Sequence, residues 1–202
     1  VGGEVTNAWF AVFAAGTDGL RIEGLRFLPG SESGAGPRRQ RADGTWIGGY
    51  ANAAVALRDV SEATLTDVFA KGSSEVVDLN AIGYPITMHG IAGEEIWEGV
   101  IETSGAPGYW IEDVSGVNSR SLLSLKPYEG LQAYGDVHGA LAVYTADAPA
   151  WLADQGVVPF EVYSHVTLAD ARVEIGAGVD YVQQVLRQAE YAAGHASASS
   201  SD

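Results

Sequence analysis

The stretch DGLRIEGLRFLPG, residues 18–30, shows the pattern that decides the predicted fold. From residue 20 to residue 28 its apolar side chains alternate with polar ones at the two-residue period of a β-strand. Gly24 interrupts this alternation and is expected to carry a β-bulge. The apolar pairs on the two sides of the bulge then fall on opposite faces of the strand: Leu20 with Ile22, and Leu25 with Phe27.

Short runs of strand length continue along the chain, separated by Gly, Pro and polar turn residues. Such runs are predicted at 8–14, 45–57, 75–79, 85–91, 95–102, 109–114, 121–125, 137–145 and 160–175. Residues 61–70 are predicted to form a short helix, because Leu65, Val68 and Phe69 recur at helical spacing. A second, amphipathic helix is predicted at 178–193.

Many strands with one terminal helix exclude a doubly wound α/β fold, in which helices and strands alternate. We predict an all-β chain, an antiparallel jelly-roll sandwich with short helical insertions over residues 1–176. A C-terminal amphipathic helix at 177–195 and a flexible tail at 196–202 follow. A β-helix is the alternative, but its coils should repeat about every two dozen residues, and no such repeat is evident past Gly72.

Composition limits the classes of function. The 202 residues, 47% of them hydrophobic, suit a single folded domain. The net charge of -15 argues against wrapping nucleic acid, because phosphate affinity comes mainly from Lys and Arg. The absence of cysteine excludes disulfides and thiolate metal sites. No apolar run has the roughly 20 residues of a bilayer-spanning helix.

The four histidines, His89, His138, His165 and His195, are scattered along the chain. None has a second metal-ligating residue at the close spacing that mononuclear metal sites commonly show. Structural or surface roles are therefore predicted for all four. No catalytic residue, cofactor-binding residue or metal ligand is predicted, and the chain is not expected to be an enzyme.

Four glutamates form a candidate catalytic site. Glu94, Glu95, Glu98 and Glu102 surround Trp97, and glycosidases place two carboxyl groups beside the sugar that they cleave. In so acidic a chain, neighbouring glutamates also arise without a function. The sequence therefore favours a solvated strand edge over a glycosidase site.

One basic group lies in the run PRRQR, residues 37–41. Its arginines, Arg38, Arg39 and Arg41, could contact a phosphate backbone or an acidic neighbouring subunit. A solvated loop that offsets the negative surface is the favoured interpretation. These three residues are nevertheless the predicted nucleic-acid or subunit contacts.

Two pairs of segments resemble the single jelly-roll shell domain of tombusvirus-like viral coat proteins. Residues 18–30 and 43–57 are similar to that family's strand, loop and Gly-led strand. Residues 134–149 and 158–175 are similar to its last two strands. The single jelly-roll capsid proteins of halophilic membrane-containing viruses resemble the chain in size and acidity.

The resemblance implies a structural capsid (coat) protein that self-assembles with copies of itself into the symmetric shell of a virion. Other capsid proteins would be further partners, and the genome would be contacted only by an arm outside this segment. The terminal helix could pack on a neighbour or face an inner membrane without spanning it. Calcium bridging is not expected where Ala51, Asn52 and Ala53 replace the family's aspartates.

The alternative function is that of a β-helix or β-sandwich protein that binds or cleaves carbohydrate, such as a phage tail-spike or accessory domain. Surface aromatics such as Tyr109 and Trp110 would then contact the sugar.

Overall fold

The chain folds into a parallel β-solenoid rather than an antiparallel jelly roll. The computed structural model describes residues 2–29, 39–40, 46–47, 52–80, 85–104, 107–126, 134–162 and 165–179. Two sheets, A with eight strands and B with six, contain parallel pairs throughout. Only β4 (Arg39–Gln40) and β5 (Trp46–Ile47) form an antiparallel pair within the described ranges.

The predicted jelly roll is therefore wrong, although the all-β content is right. The remaining elements, in chain order, are β1 (Gly3–Thr6), β2 (Phe10–Ala15), β3 (Arg21–Leu28), β6 (Ala53–Arg58), β7 (Ala63–Lys71), β8 (Glu75–Asn80), β9 (Ile86–Glu94), β10 (Gly99–Ser104), β11 (Pro107–Val117), β12 (Leu123–Lys126), β13 (Tyr134–Tyr144), α1 (Ala150–Gln155), β14 (Phe160–Val162), β15 (Val166–Ala169) and β16 (Arg172–Ile175).

Each coil of the solenoid contributes one strand to sheet B and the next strand to sheet A. Sheet B has the order β14-β12-β10-β8-β6-β2, and sheet A has the order β1-β3-β7-β9-β11-β13-β15 with β16 also paired to β13. Leu65, Met88 and Ile111 are register partners in successive coils and lie 23 residues apart. The expectation that no coil repeat continues past Gly72 is therefore wrong.

Columns of stacked apolar side chains fill the space between the sheets. One column of sheet A consists of the register partners Ile22, Leu65, Met88, Ile111 and Val137, all of them buried. The facing sheet B contributes Val55, Val77, Ile101 and Leu123. Because every coil repeats the same inward positions, the core is continuous along the solenoid.

The strands of sheet A bend where one residue per coil adopts a positive φ. These residues face one another across the coils: Gly24, Asp67, Gly90, Asp113, Gly139 and Asp170. The bend brings residues three apart, such as Leu65 and Val68, into the same core. It explains why the predicted helix at 61–70 is wrong: β7 buries its apolar residues at a spacing that resembles helical periodicity.

The C-terminal part of the prediction is only partly described. The predicted strand at 160–175 is divided into β14, β15 and β16. The predicted helix at 178–193, apart from its first two residues, and the predicted tail lie outside the described residues. In the part of the chain that is described, no helix has the length and hydropathy needed to cross a bilayer.

Candidate functional site

Polar side chains form a row across the outer face of sheet B. Asp78, Glu102, Ser124 and Glu161 are register partners on β8, β10, β12 and β14. Their neighbours along the strands, such as Val77 and Ile101, point into the core, so alternation places this row on the outside. Neighbouring strands are about 4.8 Å apart, so acidic residues that are far apart in the sequence lie close together in the sheet.

A hydrogen-bonded pair of carboxyl groups lies beside this row. Glu75 begins β8 and is buried, and Glu98 directly precedes Gly99, the register partner of Glu75. Ser74 Oγ donates a hydrogen bond to Glu98 Oε2 at 2.7 Å. Carboxylate oxygens of Glu75, Glu98 and Glu102 all lie within 4.8 Å of one another. We call these three residues together with Lys126 the acidic site.

The environment moves the pKa values of the two paired carboxyls in opposite directions. Burial, together with the hydrogen bond and the negative charge of Glu98, raises the pKa of Glu75 to about 10. Burial alone would raise the pKa of Glu98, but hydrogen bonds from Glu75 and Ser74 and the charges of Arg120 and Lys126 hold it below the ordinary value. Glu75 is therefore the protonated partner and Glu98 the ionised one.

Glu102 is the third carboxyl of the acidic site. Burial raises its pKa, against the opposing effect of the Lys126 ammonium group. Lys126 Nζ lies 3.4 Å from Glu102 Oε1 and 3.5 Å from Glu161 Oε2, and these carboxylates raise the pKa of Lys126 despite its partial burial. The pKa of Glu98 is thus lowered and that of Glu102 is raised.

The acidic site opens into a pocket of about 210 Å³. Glu98, Glu102 and Lys126 line it, and Arg120, Ser124 and Glu161 complete its polar wall. The pocket therefore offers carboxyl groups, a hydroxyl group and cationic groups to a small polar ligand or to one unit of a polymer.

The three carboxylates also have the spacing of a hard-cation site. Calcium takes oxygen ligands at 2.3–2.6 Å, so oxygens within 4.8 Å of one another can reach one ion. A cation would have to displace the proton of Glu75 and compete with the Lys126 ammonium group. The raised pKa of Glu75 and the Lys126 ammonium group therefore both disfavour a cation at this cluster.

The structure separates the four glutamates around Trp97 into two pairs with different surroundings. Glu94 and Glu95 form ion pairs with Lys71, and the indole of Trp97 is buried. Only Glu98 and Glu102 reach the acidic site. Glu75, which sequence reasoning missed, joins them because it lies one coil earlier, and recognition of the coil repeat was the signal that could have found it.

The predicted basic contacts are largely undescribed. Arg38 and Arg41 lie outside the described residues, and Arg39 belongs to β4. The prediction that these arginines contact nucleic acid or a neighbouring subunit is therefore not tested.

Three histidines lie on the outer face of sheet A. His89 Nδ1 is 3.7 Å from Glu112 and 3.6 Å from Asp113. The rings of His138 and His165 pack against Trp110 and Tyr134. His195 lies outside the described residues.

Comparisons with known proteins identify no relative. No family model, no curated protein and no solved structure matches the chain. The evidence for the function of the acidic site is therefore its own geometry and chemistry.

Proposed function

We propose that the chain is a glycoside hydrolase of β-solenoid fold that cleaves a neutral polysaccharide at the acidic site. One observation carries the proposal: Glu98 and Glu102 are neighbouring carboxyls at the wall of one pocket, and their surroundings shift their pKa values in opposite directions. Two neighbouring carboxyl groups whose pKa values are shifted apart are what glycoside hydrolysis uses.

The roles follow from protonation. Glu102, whose pKa is raised, gives its proton to the leaving glycosidic oxygen as that bond to the anomeric carbon breaks. Glu98 is ionised and attacks the same carbon, so that a glycosyl ester forms. Water then hydrolyses the ester, gives a proton back to Glu102 and releases Glu98. Glu75 is a positioning residue, because its hydrogen bond orients Glu98.

The carboxyl separation favours this two-step route. Retaining glycosidases hold their carboxyl groups about 5–5.5 Å apart, whereas inverting enzymes need about 6.5–9.5 Å to admit a water molecule. One oxygen of Glu98 lies within 4.8 Å of one oxygen of Glu102, and this proximity is compatible with the shorter distance. We therefore expect the sugar product to keep its anomeric configuration.

The charge of the protein favours a neutral substrate. The net charge is -15, and the row beside the acidic site adds Asp78 and Glu161 to its carboxyls. An anionic polymer would be repelled along its length by such a surface. Neutral hydroxyls, in contrast, can bond to carboxylates and to Lys126.

The test is release of reducing ends from neutral polysaccharides, with mixed-linkage glucan, xylan and starch as substrates. Glu98→Gln and Glu102→Gln should each lower the rate by about 10²–10⁴-fold. Glu94→Gln, which alters the ion pair with Lys71 away from the pocket, is the matched control and should keep the rate. Absence of release by the wild-type protein, or equal rates for all variants, would overturn the proposal.

The coat-protein function stays a prediction that no finding tests. Apart from the antiparallel pair β4 and β5, the described strands in the segments that carried the resemblance, 18–57 and 134–175, are parallel strands of the coils. Their alternation of apolar residues is thus accounted for by the solenoid. Assembly of a shell does not require the acidic site, whereas hydrolysis does.

A further inference from the structure

A second candidate site lies on sheet A, where strands β9, β11 and β13 begin. Its side chains enclose a cleft of about 300 Å³. Five polar or aromatic residues line this cleft: Thr87, Tyr109, Trp110, Tyr134 and Asp136. We call it the aromatic cleft. It belongs to the other sheet than the acidic site and shares no lining residue with it.

The exposed aromatic rings of the cleft are held in place by neighbours. Trp110 is 42% exposed, and its ring centroid lies 4.9 Å from that of His138. Tyr134 is 47% exposed and stacks on His165 at 5.0 Å. Large apolar side chains are usually buried. Here neighbouring histidine rings pack against two of them and leave them open to solvent.

Hydrogen-bonding groups flank the indole on both sides. Thr87, Trp110 and Asp136 are register partners on three adjacent strands. A hydroxyl, an aromatic ring and a carboxylate therefore stand side by side on the same face, about one strand spacing apart. The cleft thus combines a flat apolar surface with polar groups at its two edges.

Tyr109 lines the cleft from the side of the core. Its side chain is buried, and among the described residues none bonds to its hydroxyl group. Its ring occupies the space that a side chain at Gly135 would need, because a Cβ there would lie 2.3 Å from Tyr109 Cδ2.

We infer that the aromatic cleft binds a neutral oligosaccharide. A pyranose ring presents C–H bonds that pack on an indole face, and hydroxyls that bond to Thr87 and Asp136. No Lys or Arg is present among the described lining residues, so the cleft offers no charge partner for an anion. The choice of a sugar as the ligand rests on the proposed function. In that function the cleft would bind the polymer at a second place, distant from the acidic site.

The experiment is calorimetric titration with cellohexaose, xylohexaose and maltohexaose. The full chain carrying Glu98→Gln and Glu102→Gln is used, so that no probe is cleaved. At least one probe should bind, and Trp110→Ala should weaken it about tenfold or more, since stacking on an aromatic face contributes about 1 kcal/mol or more. Trp110→Phe should retain most of the affinity. Trp9→Ala, at a similarly exposed residue, is the control and should leave affinity unchanged.

The outcomes separate this inference from the proposed hydrolysis. Binding that depends on Trp110, without release of sugar by the wild-type protein, supports the aromatic cleft and overturns only the hydrolase. Sugar release by the wild-type protein, together with an affinity that is unchanged in Trp110→Ala, overturns only the inference about the aromatic cleft. No binding of any probe at 10 mM also overturns it. So does a self-association of the chain that Trp110→Ala abolishes, because the cleft would then be an interface between copies.

Discussion

Asp67 Oδ1 lies 2.6 Å from the position that a Cβ atom on Gly90 would occupy, and the two residues face each other in neighbouring coils. The same arrangement recurs two coils later, where Asp113 Oδ1 lies 2.9 Å from the Cβ position of Gly139. Each Asp side chain thus covers a glycine of the next coil. Both residue types tolerate the positive φ that this bend of sheet A requires.

Gly90→Ala is expected to destabilise the fold more than Gly24→Ala. Both glycines have a positive φ, 65° and 63°, so each alanine costs about 1–2 kcal/mol in backbone strain. At Gly90 the new methyl also meets Oδ1 of the exposed Asp67 side chain, which has to rotate away at an added cost of about 0.5–1.5 kcal/mol, whereas nothing lies within 4 Å of the Cβ position at Gly24. Urea denaturation measures the difference, and equal free energies of unfolding for the two variants would contradict it.

The strands could be predicted from the sequence, but their arrangement could not. Alternation of apolar residues correctly indicated β3, β8, β9, β11, β12 and β13, whereas the single strand predicted at 160–175 is three strands. It does not distinguish parallel from antiparallel pairing, because that depends on how the turns connect the strands. The coil repeat was hard to detect because Ile22 and Leu65 are 43 residues apart, whereas the next two coils advance by 23 residues each.

The acidic site shows the same limit. Glu98 and Glu102 could be selected from the sequence because they lie close together in it. Glu75 could not be joined to them without the register that pairs it with Gly99. Its protonation also depends on burial and on the neighbouring carboxylates, which only the folded chain supplies. Acid–base roles were therefore beyond sequence reasoning.

Glu75→Gln is expected to stabilise the protein at alkaline pH. In the unfolded chain Glu75 loses its proton near the ordinary pKa of 4.5, whereas in the folded chain its pKa is about 10. Between these values the unfolded state binds fewer protons, so wild-type stability falls as the pH rises. The glutamine side chain of the variant is neutral at every pH, and its amide can still donate a hydrogen bond to Glu98.

Thermal unfolding at pH values from 4 to 9 measures this effect. The Tm of Glu75→Gln relative to wild type should rise with pH and should be smallest at pH 4. Glu174→Gln, an exposed change on sheet A, serves as the control. A Tm difference that is the same at every pH would show that Glu75 is not a buried acid.

Lys126→Met is expected to shift the alkaline limb of the hydrolysis rate to higher pH. The Lys126 ammonium group lowers the pKa of Glu102, and the proposed mechanism needs Glu102 protonated. Loss of this charge lets the pKa of Glu102 rise further, so the acid form persists to higher pH. The pH profile of kcat/KM measures the limb. Lys71→Met removes a cation that pairs with Glu94 and Glu95 instead, and it should leave the profile unchanged.

Gly93→Ala is expected to destabilise the core more than Gly116→Ala, although the two residues are register partners. A Cβ at Gly93 would lie 2.7 Å from Ile96 Cγ1 and 2.8 Å from Val100 Cγ2. These β-branched side chains have little freedom to move, so we expect a loss of about 2–3 kcal/mol.

At Gly116 the nearest atom is Leu122 Cδ1, at 3.0 Å and at the end of a longer side chain, so the loss should be smaller. If crowding is the cause, Val100→Ala should relieve part of the loss in Gly93→Ala, and the double variant should lose less stability than the two single changes predict together. Strict additivity in chemical denaturation would show that contact with Val100 is not what excludes a side chain at Gly93.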